Sequence, residues 1–133
     1  MILFRAKNVF VIMNIFPYNP GHIMIAPYKH TGDINKLNED ELYEMMKLTQ
    51  ISIKIIEEKM KPQGFNVGIN IGRIAGAGFE HHIHIHIVPR WSGDTNFMPI
   101  IGETKVIPVS IEDTYRNLKD GFDGLDEFPI QRR

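Results

Sequence analysis

The stretch His82-Ile83-His84-Ile85-His86-Ile87-Val88 alternates imidazole and apolar side chains without a break. Successive residues of a strand point to opposite faces, so this spacing sets three imidazoles on one face and three isoleucines on the other. The isoleucine face reads as core. The imidazole face does not, because three adjacent rings need polar partners and would repel one another if all were charged.

Outward from that strand, Phe65 to Ile71 reads as a preceding strand, and Gly72 to Gly78 as a glycine-rich loop. Pro89 is expected to end the histidine strand. Residues 2–6 and 9–15 read as two short strands parted by Lys7-Asn8. Pro17-Tyr18-Asn19-Pro20-Gly21 is the densest turn signal, followed by a buried strand from His22 to Ala26 that stops at Pro27. One long helix is predicted from an Asn38 N-cap, with Glu41 completing a capping box and Glu39 and Asp40 suiting the positive end. Its apolar stripe is read as Leu42, Met45, Met46, Thr49, Ile53, Ile56 and Met60, ending before Pro62. Ser110 to Leu118 reads as a second, short helix capped by Ser110. Strands on both sides of one long helix predict an α+β domain on an antiparallel sheet, one domain over 1–133.

Composition bounds the function. The 133 residues carry 15 Lys+Arg against 16 Asp+Glu, a net charge of −1, so no basic footprint exists for a nucleic-acid polymer. There is no cysteine, hence no disulfide and no thiolate zinc site, which suits a reducing cytoplasm. The apolar N-terminus is broken by Arg5, Lys7 and Asn8 and has neither the length of a membrane span nor a signal-peptide cleavage site. The expectation is a cytoplasmic protein without a membrane partner.

Several chemistries compete for the histidine face. An affinity tag does not sit inside a chain alternating with isoleucine. Incidental surface histidines are a second reading. A metal site is a third: same-face neighbours lie ~6.8 Å apart, so the outer pair is separated by ~13–14 Å. Bonds of ~2 Å from all three to one tetrahedral ion need a sharp bend, although two histidines completed by Glu80 or His22 would suffice. The fourth reading, nucleophilic catalysis, fits the spacing best. A neutral imidazole nitrogen attacks well near pH 7, while flanking rings orient it and bring donors toward a phosphate.

These residues and their surroundings resemble the histidine triad (HIT) family of nucleotide hydrolases and transferases. Its signature, His-φ-His-φ-His-φ-φ with φ apolar, matches residues 82–88 at every position. Asn14, the run Pro20-Gly21-His22-Ile23-Met24-Ile25-Ala26-Pro27, and Asn70-Ile71-Gly72 to Ala75-Gly76 extend the likeness over roughly 9–91. The resemblance implies a five-stranded antiparallel sheet with the long helix packed on it, and a homodimer with both sites near its two-fold axis. It implies that His84 attacks the α-phosphate and becomes nucleotidylated, that His86 contacts the phosphate, and that His82 and His22 orient the others. Asn14 would bond the ribose hydroxyls, Asn70 would meet phosphate, and Met24 would pack on the purine. Gly76, Ala77, Gly78 and Phe79 would offer backbone N–H groups to phosphate oxygens.

The family's familiar Gly-Gln-Ser/Thr stretch before the triad is replaced here by Ala75-Gly76-Ala77-Gly78-Phe79-Glu80-His81, without Gln, Ser or Thr. That weakens help to an amine leaving group, and with it a nucleoside phosphoramidase, the enzymatic alternative. The loop, together with Val88-Pro89-Arg90-Trp91-Ser92-Gly93-Asp94-Thr95-Asn96-Phe97-Met98-Pro99, looks like the branch that includes microbial diadenosine tetraphosphate phosphorylases and hydrolases. Trp91 is a candidate for the dinucleotide cleft. The implied activity is cleavage of dinucleoside polyphosphates by hydrolysis or phosphorolysis, with no tightly bound cofactor and magnesium only as a companion of the polyphosphate. The chain lacks the cysteine-bearing N-terminal segment of many relatives, so no structural zinc is expected. A catalytically idle nucleotide-binding signalling module is the alternative from another class.

Overall fold

Among the described residues, five strands form one antiparallel sheet in the order β1-β2-β3-β5-β4, and two helices cover one of its faces. A computed structural model of the chain describes residues 1–77, 81–94 and 110–125. The strands are β1 (Ile2–Arg5), β2 (Val9–Met13), β3 (Ile23–Pro27), β4 (Gly64–Ile69) and β5 (Ile85–Arg90). The helices are α1 (Glu39–Met60) and α2 (Ile111–Asp123), with single 3-10 turns at Ile34–Lys36 and Arg73–Ala75.

Parity divides the sheet as expected for half-buried strands. Leu3, Val9, Val11, Met13, Ile23, Ile25, Ile83, Ile85 and Ile87 point inward and pack with Met45, Leu48, Ile55 and Ile56 of α1 and Leu118 and Phe122 of α2. The opposite face carries Phe10 and Ile12, Met24, and His86. Register aligns them: Ile12 pairs with Met24, Met24 with His86, and His86 with Gly68, which makes one row across four strands.

The helix α1 begins as its sequence dictates. Asn38 accepts from the Glu41 N–H and Glu41 Oε1 accepts from the Asn38 N–H, both at 2.8 Å. It ends where Lys61 turns left-handed (φ 53°) ahead of Pro62. Its buried face differs from the expected stripe. Glu44, Leu48, Ser52 and Ile55 are buried, whereas Leu42 and Met46 are 43% and 64% exposed. The difference is a rotation about the helix axis. Glu44 turns inward because its carboxylate accepts from the backbone N–H and side chain of Asn8, at 2.9 and 2.6 Å, in the β1–β2 turn. That tie brings a charged residue inside and leaves two apolar ones out.

A second correction concerns the histidine segment. β5 begins at Ile85, not His82, and runs through Pro89 to Arg90. β3 pairs with it only from Ile23↔Ile87 to Ile25↔Ile85, and β4 reaches no further than Ile69↔Ile85. His82 and His84 therefore precede the ladder, yet burial still alternates, with Ile83 at 2% exposure between half-buried rings. Pro89 is tolerated because β5 is paired on one side only at that point. α2 also outruns its expected end at Leu118, reaching Asp123 from the Ser110 cap.

Gly21 carries the turn into β3. Its φ is +86°, and an added Cβ would lie 2.8 Å from Met60 Sδ and 3.0 Å from Pro89 Cγ. Gly21→Ala is expected to cost about 1–3 kcal/mol in urea unfolding, from backbone strain plus the clash. Gly64→Ala, with nothing within 4 Å of its Cβ, is the control and should be neutral or slightly stabilising. Equal effects at both positions would contradict this account.

Candidate active site

The site lies on the sheet face away from the helices, where β3 and β5 bring His22, His84 and His86 together. The His86 ring sits between the other two, with centroids 4.6 Å from His84 and 5.1 Å from His22. Hydrogen bonds assign the proton on each ring. The Tyr18 N–H donates to His22 Nδ1 at 3.2 Å, so neutral His22 carries its proton on Nε2. That N–H donates to His86 Nδ1 at 2.9 Å. Neutral His86 is thereby an Nε2–H tautomer, with a donor left for a ligand.

His84 receives the opposite assignment. Its Nδ1 donates to the backbone carbonyl of His82 at 2.9 Å. A carbonyl only accepts, so neutral His84 has its proton on Nδ1 and a bare lone pair on Nε2. His82 thus acts on its neighbour through its main chain. Its own ring is engaged elsewhere, donating from Nε2 to the Pro27 carbonyl at 2.8 Å and meeting His30 Nδ1 at 3.2 Å.

Charge is kept off the inner rings. His22 is fully buried, and burial, reinforced by the positive charge that His86 and His84 would carry, pulls its pKa down to about 4. Protonating it would also turn Nδ1 into a donor facing the Tyr18 N–H. His86 is lowered too, chiefly by burial and then by His84.

The turn that supplies the Tyr18 N–H is itself clamped. Buried Asn19 donates to the Pro89 carbonyl at 2.9 Å and to Asp94 Oδ2 at 2.6 Å. Asp94 also accepts from Arg90 Nε and Nη2, each at 2.8 Å, and from the Trp91 N–H at 2.9 Å. The two-pronged Arg90 hydrogen bonds hold the Asp94 carboxyl well below the usual carboxylate range. Tyr18 lays its ring over His22 at 5.2 Å and 14°.

Beside the histidines opens a cavity of about 310 Å³, walled by Phe10, Ile12, Met24 and Ala26 and closed by His30, His82 and His84. Met24 is where the sequence placed an apolar contact for a base. Asn14 stands next to His22 with its amide oriented by the Phe16 N–H, which donates to Oδ1 at 2.8 Å. Its amide nitrogen lies 3.3 Å from His22 Nε2, where the Nε2–H already given to His86 leaves two donors side by side and no hydrogen bond between them. The other expected ligands fall elsewhere. Asn70, exposed beyond β4, donates to the Gly76 carbonyl at 3.4 Å. The backbone N–H groups of Gly76 and Ala77 do not face outward for phosphate: they donate within their own turn, to Arg73 and Gly72 carbonyls at 2.9 and 3.2 Å. Tightening of the loop into a 3-10 turn consumes them. Gly78 and Phe79 lie outside the described residues. Trp91 is tied through its backbone to Asp94 and does not line the cavity. The described residues hold no group of three side chains fit to bind a metal ion.

His30 was not a sequence candidate. A single histidine in Tyr28-Lys29-His30-Thr31 has no periodicity to mark it, and its pairing with His82 arises from the path of the chain after β3. The Asn19–Asp94–Arg90 clamp was equally silent, since Asn19 lies 75 residues from the Asp94 carboxylate that it meets.

A family model described as HIT domain matches residues 1–93. AP-4-A phosphorylase of Mycobacterium tuberculosis (strain ATCC 25618 / H37Rv) is 45% identical over 118 residues, covering 89% of this chain and 60% of that protein. Bis(5'-adenosyl)-triphosphatase of Dictyostelium discoideum is 30% identical over 89 residues, covering 67% of this chain and 59% of that protein. The chain thus spans about 60% of the length of these relatives. A zinc-bound histidine triad family protein from Mycobacterium smegmatis superimposes with a TM-score of 0.74 at 26% identity, covering 94% of this chain and 85% of that one. A hypothetical histidine triad nucleotide-binding protein from Sulfolobus tokodaii strain7 gives 0.74 at 25% identity, covering 93% and 84%. With the histidine signature, the sheet order and the match over residues 1–93 in agreement, the chain belongs to the HIT domain family.

Proposed function

We propose that the protein cleaves dinucleoside polyphosphates at the α-phosphate through a nucleotidyl-histidine on His84. The observation that carries this reading is the bare Nε2 of His84, fixed by the His82 carbonyl, beside the protonated Nε2 of His86. A nucleophile that lines an apolar cavity and a hydrogen-bond donor for phosphate thus stand side by side, with ring centroids 4.6 Å apart. His84 Nε2 forms the N–P bond while the bond from phosphorus to the bridging oxygen breaks, and the polyphosphate leaves with the electron pair. A second nucleophile then attacks phosphorus, the N–P bond returns its electrons to His84, and the incoming oxygen's proton passes to solvent. His86, held by His22, neutralises charge developing on the non-bridging oxygens. Met24, Phe10 and Ile12 form the apolar floor on which the base packs, and Asn14 is offered for the ribose. The residues require no tightly held cofactor in this scheme, and magnesium enters only with the polyphosphate.

Orthophosphate is the preferred second nucleophile in this proposal, because the relative at 45% identity is named a phosphorylase. Hydrolysis is the second reading, favoured by the relative named a triphosphatase. Incubation with diadenosine tetraphosphate separates them: ADP plus ATP only when orthophosphate is present means phosphorolysis, and AMP plus ATP means hydrolysis. His84→Ala should lower turnover by roughly 10³-fold or more while nucleotide binding persists. Undiminished turnover in that variant would sink the covalent scheme, and an untouched dinucleotide alongside cleaved adenosine phosphoramidate would transfer the proposal to a phosphoramidase.

The reading includes a cytoplasmic homodimer. Among the described residues β4 ends the sheet with an unpaired edge, Val67 is 46% exposed, and α1 leaves Leu42 and Met46 outside. Met46→Asp should convert a dimer into a monomer in light scattering. A wild-type chain that is already monomeric at micromolar concentration would refute this part.

The neutral state of His22 has a stability consequence. Unfolded His22 takes up its proton near pH 6.5 and folded His22 only near about 4, so the unfolded state binds more protons between them. Stability is full above about 6.5 and falls as pH drops toward about 4, by about 3 kcal/mol. Urea unfolding at both ends of that window should show His22→Gln losing most of this pH-dependent part. An unchanged slope would contradict it.

A further inference from the structure

We propose that His30 is a positioning residue for the nucleophile, acting through His82 on the carbonyl that holds His84 as its Nδ1–H tautomer. The inference rests on His84 being the attacking group. It begins from the gap in the sheet: β3 and β5 part at the Ile25↔Ile85 pair, so the segment bearing His82 and His84 has no ladder to hold it. What holds it instead comes from residues 27–31, just past β3. The Ile83 N–H donates to the Thr31 carbonyl at 2.7 Å, His82 Nε2 donates to the Pro27 carbonyl at 2.8 Å, and His30 Nδ1 meets His82 Nδ1 at 3.2 Å.

The direction of the last bond follows from the others. The Pro27 carbonyl can only accept, so neutral His82 has its proton on Nε2 and a bare Nδ1. His30 must then donate from Nδ1. Both nitrogens of the His82 ring are thus occupied, and its rotation and tautomer are fixed together. The rings meet edge to face, with centroids 5.1 Å apart at 80°. Without the His30 donor, the His82 ring is pinned at Nε2 alone, by the Pro27 carbonyl, and is free to turn about that bond. The His82 main chain would move with it, and that main chain supplies the 2.9 Å bond to His84 Nδ1. A histidine pinned at one nitrogen orients its other nitrogen for chemistry, and supporting groups of this kind are worth roughly 10–100-fold where they have been removed from metal sites.

Two variants of the full chain test this, read by ring-nitrogen NMR of His84 in the free protein and by kinetics on diadenosine tetraphosphate. In the wild type, His84 should be a single Nδ1–H tautomer. His30→Ala should mix the two tautomers and lower kcat roughly tenfold with KM within about twofold. His30→Asn keeps an N–H near the position of Nδ1, and should return kcat to within about threefold of wild type and restore the single tautomer. A His84 tautomer unaltered in His30→Ala overturns the proposal, whatever happens to turnover. So does an Asn variant as impaired as Ala when both melt like wild type. The NMR arm is independent of substrate: tautomer mixing in a protein that consumes no dinucleotide upholds the positioning role and sinks the assigned activity. Should the Ala variant fail to fold, the Asn variant and wild type still decide whether a donor at residue 30 sets the tautomer, because an Asn variant with mixed tautomers refutes it.

Discussion

The bond from His84 Nδ1 to the His82 carbonyl is the interaction on which the proposed chemistry of the site depends. It leaves Nε2 without a proton and aims it. A regular ladder at this point would engage main-chain groups of the segment with a neighbouring strand. Because β5 starts only at Ile85, the His82 carbonyl is left for a side chain two residues on. The departure from regular pairing is therefore part of the site's construction, and the contacts from residues 27–31 replace the order that a ladder would have provided.

At the other end a mirrored logic applies. A backbone donor, the Tyr18 N–H, meets His22 Nδ1 and passes the opposite tautomer along to His86. One carbonyl and one N–H, neither of them visible as a functional group in the sequence, thus make neighbouring rings complementary, one with a bare Nε2 and the other with an Nε2–H donor. Burial maintains the division, since His22 and His86 both resist protonation, and a cluster of charged imidazoles at these separations would repel itself. The Asp94 carboxylate keeps the whole arrangement in register by holding Asn19, and through it the turn that delivers Tyr18.

Legibility from the sequence follows the range of the interaction. The α1 cap is local, within four residues, and was readable in full from Asn38 and Glu41. The partition of isoleucine from histidine over 82–88 is also local and holds, even though the ladder begins three residues late. The helix face was misread at Leu42 and Met46 because its orientation is decided by Asn8, a partner 36 residues from Glu44. His30, 52 residues from His82, lay beyond any pattern. The Gly76 and Ala77 donors failed for another reason. Glycine content announces backbone freedom, but not whether the chain spends its N–H groups on itself.

In the proposed double displacement the geometry also bears on the choice of second substrate. Both steps of a double displacement are in line with His84 Nε2, so the incoming nucleophile must enter where the polyphosphate has left. A place that accepts the oxygens of a leaving phosphate presents the same donors to orthophosphate, and water gains nothing from them beyond its concentration. Ala75 to His81 offers no Gln, Ser or Thr, and in this scheme His86 Nε2, left as a donor by the His22 bond, stands beside the transferred phosphate, where an entering orthophosphate also reaches it. A phosphate oxyanion takes more from such a donor than neutral water does. In the proposed scheme, the tautomer of His86 thus favours phosphorolysis over hydrolysis.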